Sequence, residues 1–329
     1  MRYRPLTVSV AAILCILSGP ASADGYTLFD PGDSIATFPR AMNASGVVAG
    51  YYEDGAFVDH GFARAADGTI TPIDPPGSVG TEIQGINDSG WMAGTFARGK
   101  GLVGHAFLLA PDGTFEIFDV AGVLGNVAGP DAAGRVAGSY SDVKKVTHGY
   151  LRRTQGHVET FDPPGSLDTE VTAINPKGVV IGTYSDAGKA QHAFLRALDG
   201  TFTIFDAPGG VEGTRPAAMN KMGFVAGNFG DAAFQEHGFL RKPDGALETF
   251  DPQGSTGTFI FGINAHGVVC GLYYDGAGHT HGFTRALDGA ITVFDPAGST
   301  STFVTAIDAS GNTAGSYFDS QWRGFLRTP

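Results

Sequence analysis

The chain has 329 residues, 33 acidic against 21 basic side chains, and a formal net charge of −12. Such an acidic chain, with no basic run, lacks the electrostatic footprint of a protein that binds nucleic acid or an anionic membrane.

Taken in order, residues 1–23 read as a secretory leader. Arg2 and Arg4 form a basic start, Leu6 to Leu17 is mostly apolar, and Ala21-Ser22-Ala23 is a small-residue cleavage site. The apolar run is too short for a membrane span. Cys15 lies inside it after Leu14, which argues against a lipid anchor. Cleavage before Asp24 would take the charge from −12 to −14 and leave Cys270 as the one cysteine, so no internal disulfide can form. The expectation is an exported protein, periplasmic or extracellular, and a single domain over residues 24–329.

From there the chain repeats. An Asp after an apolar residue recurs at Asp30, Asp74, Asp119, Asp162, Asp206, Asp251 and Asp295, with steps of 44, 45, 43, 44, 45 and 44 residues. A fixed period of this length marks stacked or radial units. The unit from Asp162 to Phe205 shows four short apolar runs. Strand A is 169–175, strand B 179–184, strand C 192–196 and strand D 201–205. The runs are rich in β-branched and aromatic residues and bounded by Gly, Pro, Asn and Asp, as strands are. Each A–B turn carries an Asx followed three residues later by Gly, from Asn43/Gly46 to Asp308/Gly311. The Asx side chain caps the turn and the glycine supplies its left-handed residue. Asp-Gly at Asp67, Asp112, Asp199, Asp244 and Asp288 closes five C–D hairpins. Cys270 stands where other copies have alanine or Ile181, which reads as a small buried strand residue.

The two ends complement one another. The seventh unit stops after its strand C, Gly324 to Arg327, while Tyr26 to Phe29 is a strand D without a unit. Pairing them would close a ring and protect both edges. The predicted fold is all-β: a seven-bladed β-propeller of four-stranded antiparallel blades, the last completed by the N-terminal strand. A linear β-solenoid would leave the complementary ends unexplained.

The motifs His105-Ala106-Phe107 and His192-Ala193-Phe194, with variants beginning at His60, His148, His237 and His281, resemble the HAF-type extracellular repeat family. The resemblance spans nearly the whole chain beyond the leader, with Arg323 replacing the histidine in the last copy. It implies export and a repeat fold and no defined chemistry.

Strands C and D meet at one edge, so His60, His105, His148, His192, His237 and His281 should each face Asp74, Asp119, Asp162, Asp206, Asp251 and Asp295 in turn as structural pairs. Equivalent histidines lie well over ~10 Å apart from blade to blade, too far to share a metal whose ligands converge to about 2 Å. No metal or other cofactor is expected; the closest local candidate is His279 with His281. Function is then sought where copies differ. The first variable position of strand A reads Phe38, Glu82, Val127, Glu170, Arg215, Phe259 and Phe303. That gives the channel mouth an aromatic side and a charged side, as small-ligand sites show. Tyr51, Tyr52, Tyr140, Tyr184, Tyr273, Tyr274 and Tyr317, and the basic Arg98, Lys100, Lys144, Lys145 and Lys189, are expected in the B–C loops of the same face.

The favoured reading is a monomeric binding module taking a glycan, another small molecule or an envelope protein at Phe38, Glu82, Glu170, Arg215, Phe259 and Phe303. An alternative is a propeller lyase or hydrolase acting on an extracellular carbohydrate or cyclic ester, with Glu82 and Glu170 as acid and base and Arg215 stabilising negative charge. A structural envelope protein, its mouth plugged by the phenylalanines, is the third.

Overall fold

A computed structural model describes residues 25–99 and 103–329. The leader, Cys15 and Lys100 lie outside the described residues. Twenty-eight strands and no helix occur among the described residues. Each antiparallel set of four follows the repeat. In unit four, Asp168–Ile174, Val180–Ser185, Gln191–Arg196 and Phe202–Phe205 pair in that order, and units two, three and five form equally separate four-stranded sheets.

Units six, seven and one depart from four isolated antiparallel strands. Single parallel bridges, Thr280 to Ser301 and Ala36 to Trp322, join them into one mixed twelve-stranded sheet. At these two junctions the start of strand C comes close enough to the start of the next strand A to bond it. The first strand, Tyr26–Phe29, pairs antiparallel with the last, Trp322–Arg327, Tyr26 opposite Arg327 and Phe29 opposite Gly324. Strand A of each unit touches strand A of the next, and strand A of unit seven, Ser301–Ile307, touches that of unit one, Ala36–Met42.

A bulge explains a glycine in every strand B. Six A strands carry one extra residue at the same place, at Arg40, Gln84, Thr172, Ala217, Phe261 and Thr305. The carbonyl of the preceding variable residue leans onto strand B. A Cβ added at Gly94 would stand 2.1 Å from Glu82 O, and at Gly315 1.9 Å from Phe303 O, so no side chain fits there. Opposite these glycines lie the aromatic residues that end the HAF-like motifs, Phe62, Phe107, Tyr150, Phe194, Phe239, Phe283 and Phe325, all 0 % exposed. Burying each contributes about 2–3 kcal/mol. Cys270 is likewise fully buried, and burial pushes its thiol up to about 12.

Units are joined by two repeating devices. At the A–B turns, Asn43, Asn87, Asn175, Asn220 and Asn264 accept from their own turn amides through Oδ1 and donate through Nδ2 to the next unit's Asx carbonyl, at 2.7–3.3 Å. Units three and seven have Asp131 and Asp308, which cannot donate. There the carboxylate accepts instead from the side chain four residues on, Arg135 Nε at 2.5 Å and Asn312 Nδ2 at 2.7 Å. At those same two junctions a strand-B serine spans the gap. Val171 N donates to Ser139 Oγ at 2.7 Å, and Ser316 Oγ donates to Thr37 O at 2.9 Å.

The second device uses the arginine that ends strand C. Arg64, Arg152, Arg196, Arg241, Arg285 and Arg327 each lie 4.2–5.1 Å over a phenylalanine of the preceding strand D. Arg196 also pairs with Glu159.

Candidate functional site

The D–A and B–C loops share one face, and the histidines are its most regular feature. Nδ1 of His60, His105, His148, His192, His237 and His281 lies 2.6–2.9 Å from Asp74, Asp119, Asp162, Asp206, Asp251 and Asp295. A second carboxylate faces Nε2 in five of them: Asp54, Asp142, Asp186, Asp231 and Asp275, at 3.4–3.8 Å. Reasoning from sequence missed this B–C aspartate, although its recurrence six residues before the histidine was there to read. Its Oδ1 also caps its own loop, as Asp54 does for Val58 N at 2.9 Å. In unit seven Arg323 replaces the imidazole and bonds both carboxylates, Asp30 at 2.9 Å and Asp319 at 3.0 Å.

These contacts set the charge state. Burial opposes protonation of His60, His237 and His281, but the two carboxylates outweigh it and raise the pKa; for His192 the Asp206 hydrogen bond leads the rise. Asp275 is lowered to about 2, chiefly by the His279 backbone amide. His279 Nδ1 is 3.3 Å from Asp275, so the His279–His281 pair shares that carboxylate. No group of three His, Cys, Asp or Glu side chains placed to hold a metal occurs among the described residues.

Several sequence placements need correction. Tyr52, Tyr140, Tyr184, Tyr273 and Tyr317, like Tyr51, Tyr274 and Arg98, are strand-B residues rather than loop residues. The first four lie under the imidazole of their own unit, with ring centroids 5.1–5.4 Å apart, and Tyr317 is 2 % exposed. They pack beneath the loops, and Tyr184 also lines the larger cleft described below. Val127 does not hold the register position expected of it. Asn126, opposite Ser139, matches Glu82 opposite Thr95 and Glu170 opposite Thr183, while Val127 is 3 % exposed. Asn126 stands five residues before Asp131, as Glu82 does before Asn87, but only seven after Asp119 where Glu82 is eight after Asp74, so a count from the D–A aspartate lands on Val127.

The aromatic side is knit together by Trp322, which the sequence reading did not single out. Its ring is 5.1 Å from Phe303 and 6.4 Å from Phe38, and Phe38 lies 5.0 Å from Tyr51. Phe259 packs edge-on against Tyr274 at 5.7 Å. All three phenylalanines are half-buried. Arg215 is occupied: it pairs with Glu236 and donates to Glu212 O at 3.0 Å and Gln191 Oε1 at 3.3 Å.

Two adjoining clefts open on the remaining arc. The larger, about 350 Å³, lies between units three and four. Glu170 and Asp168 supply carboxylates, Asn126 and Gln191 amides, and Ser139, Ser141, Thr147, Thr183 and Ser185 hydroxyls. The smaller, about 230 Å³, is lined by Asp59, Thr81 and Glu82, with Phe96 and Leu124 as its apolar wall. Gly125 borders both. The structure therefore brings Glu82 and Glu170 to neighbouring depressions and leaves Phe38, Phe259 and Phe303 elsewhere on the ring. At four B–C loop tips a side chain holds a left-handed backbone: Phe57, Lys145, Lys189 and Phe234, with φ of 61–65°.

No family model matches the chain, and no curated protein sequence is similar to it. Solved structures are similar in fold. A streptogramin B lyase superposes with TM-score 0.61 at 10 % identity, over 94 % of this chain and 99 % of that one. Virginiamycin B lyase from Staphylococcus aureus, solved with quinupristin, gives 0.62 at 11 % identity, over 92 % and 99 %. The β-propeller domain of the Trilobed protease from Pyrococcus furiosus gives 0.63 at 11 %, over 89 % and 95 %. At these identities the likeness shows the fold alone: a β-propeller.

Proposed function

We propose that the chain is an exported, seven-bladed propeller closed by its N-terminal strand, and that it acts as a monomeric binding module for a glycan or related polyhydroxylated ligand. Closure is supported by the pairing of Tyr26–Phe29 with Trp322–Arg327 and by contact between the first and last A strands. The observation that carries the ligand class is the wall of the larger cleft, where hydroxyls, amides and two carboxylates line about 350 Å³. Polyols offer alternating donors and acceptors that such a wall can satisfy, with hydrogen bonds to charged groups the stronger ones.

The lyase or hydrolase reading fits the same fold but needs an untethered acid or base. Glu82 and Glu170 have no ion-pair partner among the described residues and could fill those roles, whereas Arg215, the group that reading assigns to stabilise negative charge, is held by Glu236. The test is calorimetric titration of the purified protein with a panel of oligosaccharides, repeated on Glu170→Gln and Thr183→Val. Binding weakened in both variants supports the cleft. Binding untouched by both, or silence across the panel, overturns the reading.

A further inference from the structure

The smaller cleft has a feature that no other unit repeats. In units one, four and six the buried threonine that opens strand A gives its hydroxyl to the D–A aspartate. Thr37 donates to Asp30 at 2.8 Å, Thr169 to Asp162 at 2.6 Å and Thr258 to Asp251 at 2.5 Å. Thr81 is the equivalent in unit two. It is 1 % exposed, it lines the smaller cleft, and its Oγ1 has no hydrogen-bond partner. A hydroxyl left bare at such depth costs about 1–3 kcal/mol; its oxygen is closed to solvent, so a ligand in the cleft reaches it once the side chain turns toward the opening.

Its neighbours are uncompensated too. Among the described residues neither Asp59 nor Glu82 has a cation within ion-pair distance, and Glu82 accepts only a 3.3 Å bond from Gln84. Burial, then the nearby charges of Glu82 and Glu53, hold the Asp59 carboxyl above the usual range, against a smaller opposing pull from His60. Across Gly125, Glu170 is likewise without a cation among the described residues, and Arg215, at the matching strand-A position of unit five, is spent on Glu236.

From the unpartnered Thr81 hydroxyl beside Asp59 and Glu82, we propose that the smaller cleft is a subsite for a protonated amine, and that the ligand spanning both clefts is an amino sugar oligomer. This rests on the glycan reading above. The ammonium supplies the three donors and the positive charge that Thr81 Oγ1, Asp59 and Glu82 lack, while the sugar hydroxyls occupy the larger cleft. A neutral polyol would bond the hydroxyl but leave the like charges unrelieved.

The experiment compares β-1,4-linked glucosamine oligomers with their N-acetylated and glucose counterparts by calorimetry, in buffer acidic enough to protonate the amine. The glucosamine oligomer should bind roughly tenfold or more tighter than the others, a margin lost in Glu82→Gln and in Asp59→Asn. Thr81→Val should weaken the same ligand without lowering the melting temperature of the empty protein, because the hydroxyl it removes is unpartnered. Equal affinity for all three oligomers would overturn the amine subsite and leave the glycan reading standing. Failure of every oligomer to bind would overturn both. Calcium competing for the smaller cleft, or a Thr81→Val variant that binds as well as the parent, would also defeat the assignment.

Discussion

Replacing Asn264 with Asp tests whether the ring of turn asparagines joins the sheets energetically. Asn264 is 5 % exposed; its Nδ2 donates to Asp308 O at 2.9 Å, while Oδ1 accepts from His266 N at 3.0 Å and Val268 N at 2.9 Å. Aspartate keeps both acceptor bonds and loses only the donation to the next sheet. The Asp308 carbonyl keeps the Gly311 amide at 3.2 Å but loses its second donor, and a carboxylate oxygen facing it adds repulsion, so Asn264→Asp should lose about 1–2 kcal/mol. Asn264→Ala also strips the turn caps and should lose more. The native aspartates tell what rescues: Asp131 and Asp308 are served by Arg135 and Asn312, four residues on. Adding Val268→Asn to Asn264→Asp should therefore recover part of the loss. Urea unfolding, followed by the fluorescence of Trp91 and Trp322, reads this as a lower midpoint at unchanged slope. An unchanged midpoint for Asn264→Asp, or a double variant no better than the single, would refute the ladder.

Other outcomes follow from the same contacts. The raised histidines His60, His192, His237 and His281 contribute stability that is complete below their ordinary value of 6.5 and lost as pH rises through the folded value. The lowered Asp54, Asp186, Asp231 and Asp275 contribute above 3.8 and lose it as pH falls, Asp275 toward about 2. The melting temperature should peak between those two values; a maximum on the alkaline side of neutrality would contradict the carboxylate–imidazole pairs. Gly282→Ala puts a Cβ 2.6 Å from Val304 Cγ2 and 3.1 Å from Phe294 O, and should cost about 1–3 kcal/mol by chemical denaturation. A Gly282→Ala variant as stable as the parent would mean the next sheet yields freely, as it stands clear of Ala106 and Ala193. Phe29→Ala removes a ring 6 % exposed, 6.0 Å from Phe62 and under Arg64, for about 3–5 kcal/mol and a strand edge open to self-association. Light scattering showing an unaltered monomer of parental stability would argue that the N-terminal strand does not close the last sheet.

Much of the architecture was readable because period and turn chemistry are local. The Asx and glycine of each A–B turn, and the Asp-Gly of each C–D turn, fix where strands begin and end whatever their neighbours do. The His192–Asp206 contact was legible for the same reason, since adjacent antiparallel strands bring those ends together. The site was less legible because it depends on relations between units. Whether Arg215 faces a ligand or Glu236 is decided by a residue on another strand, and whether Thr81 finds a carboxylate depends on the path of one D–A loop. Trp322 has no counterpart in the other copies, so no pattern announced that it would sit between Phe38 and Phe303. One residue fewer between Asp119 and the register position of strand A was enough to exchange Asn126 for Val127.

The two aspartates among the turn asparagines also interrupt the ladder of turns twice. Side-chain donation runs forward from units one and two, stops after unit three, resumes from unit four through unit six, and stops again after unit seven. Other bonds take over at the two gaps: Ser139, with Asn126 Nδ2 donating to Val171 O at 2.7 Å, between units three and four, and Ser316, with Thr305 Oγ1 donating to Pro39 O at 2.8 Å, between units seven and one. The joint between units three and four is where the larger cleft opens, on the face opposite those turns. A molecule bound there would touch units three and four at once and so reinforce a junction that the turn asparagines do not reach.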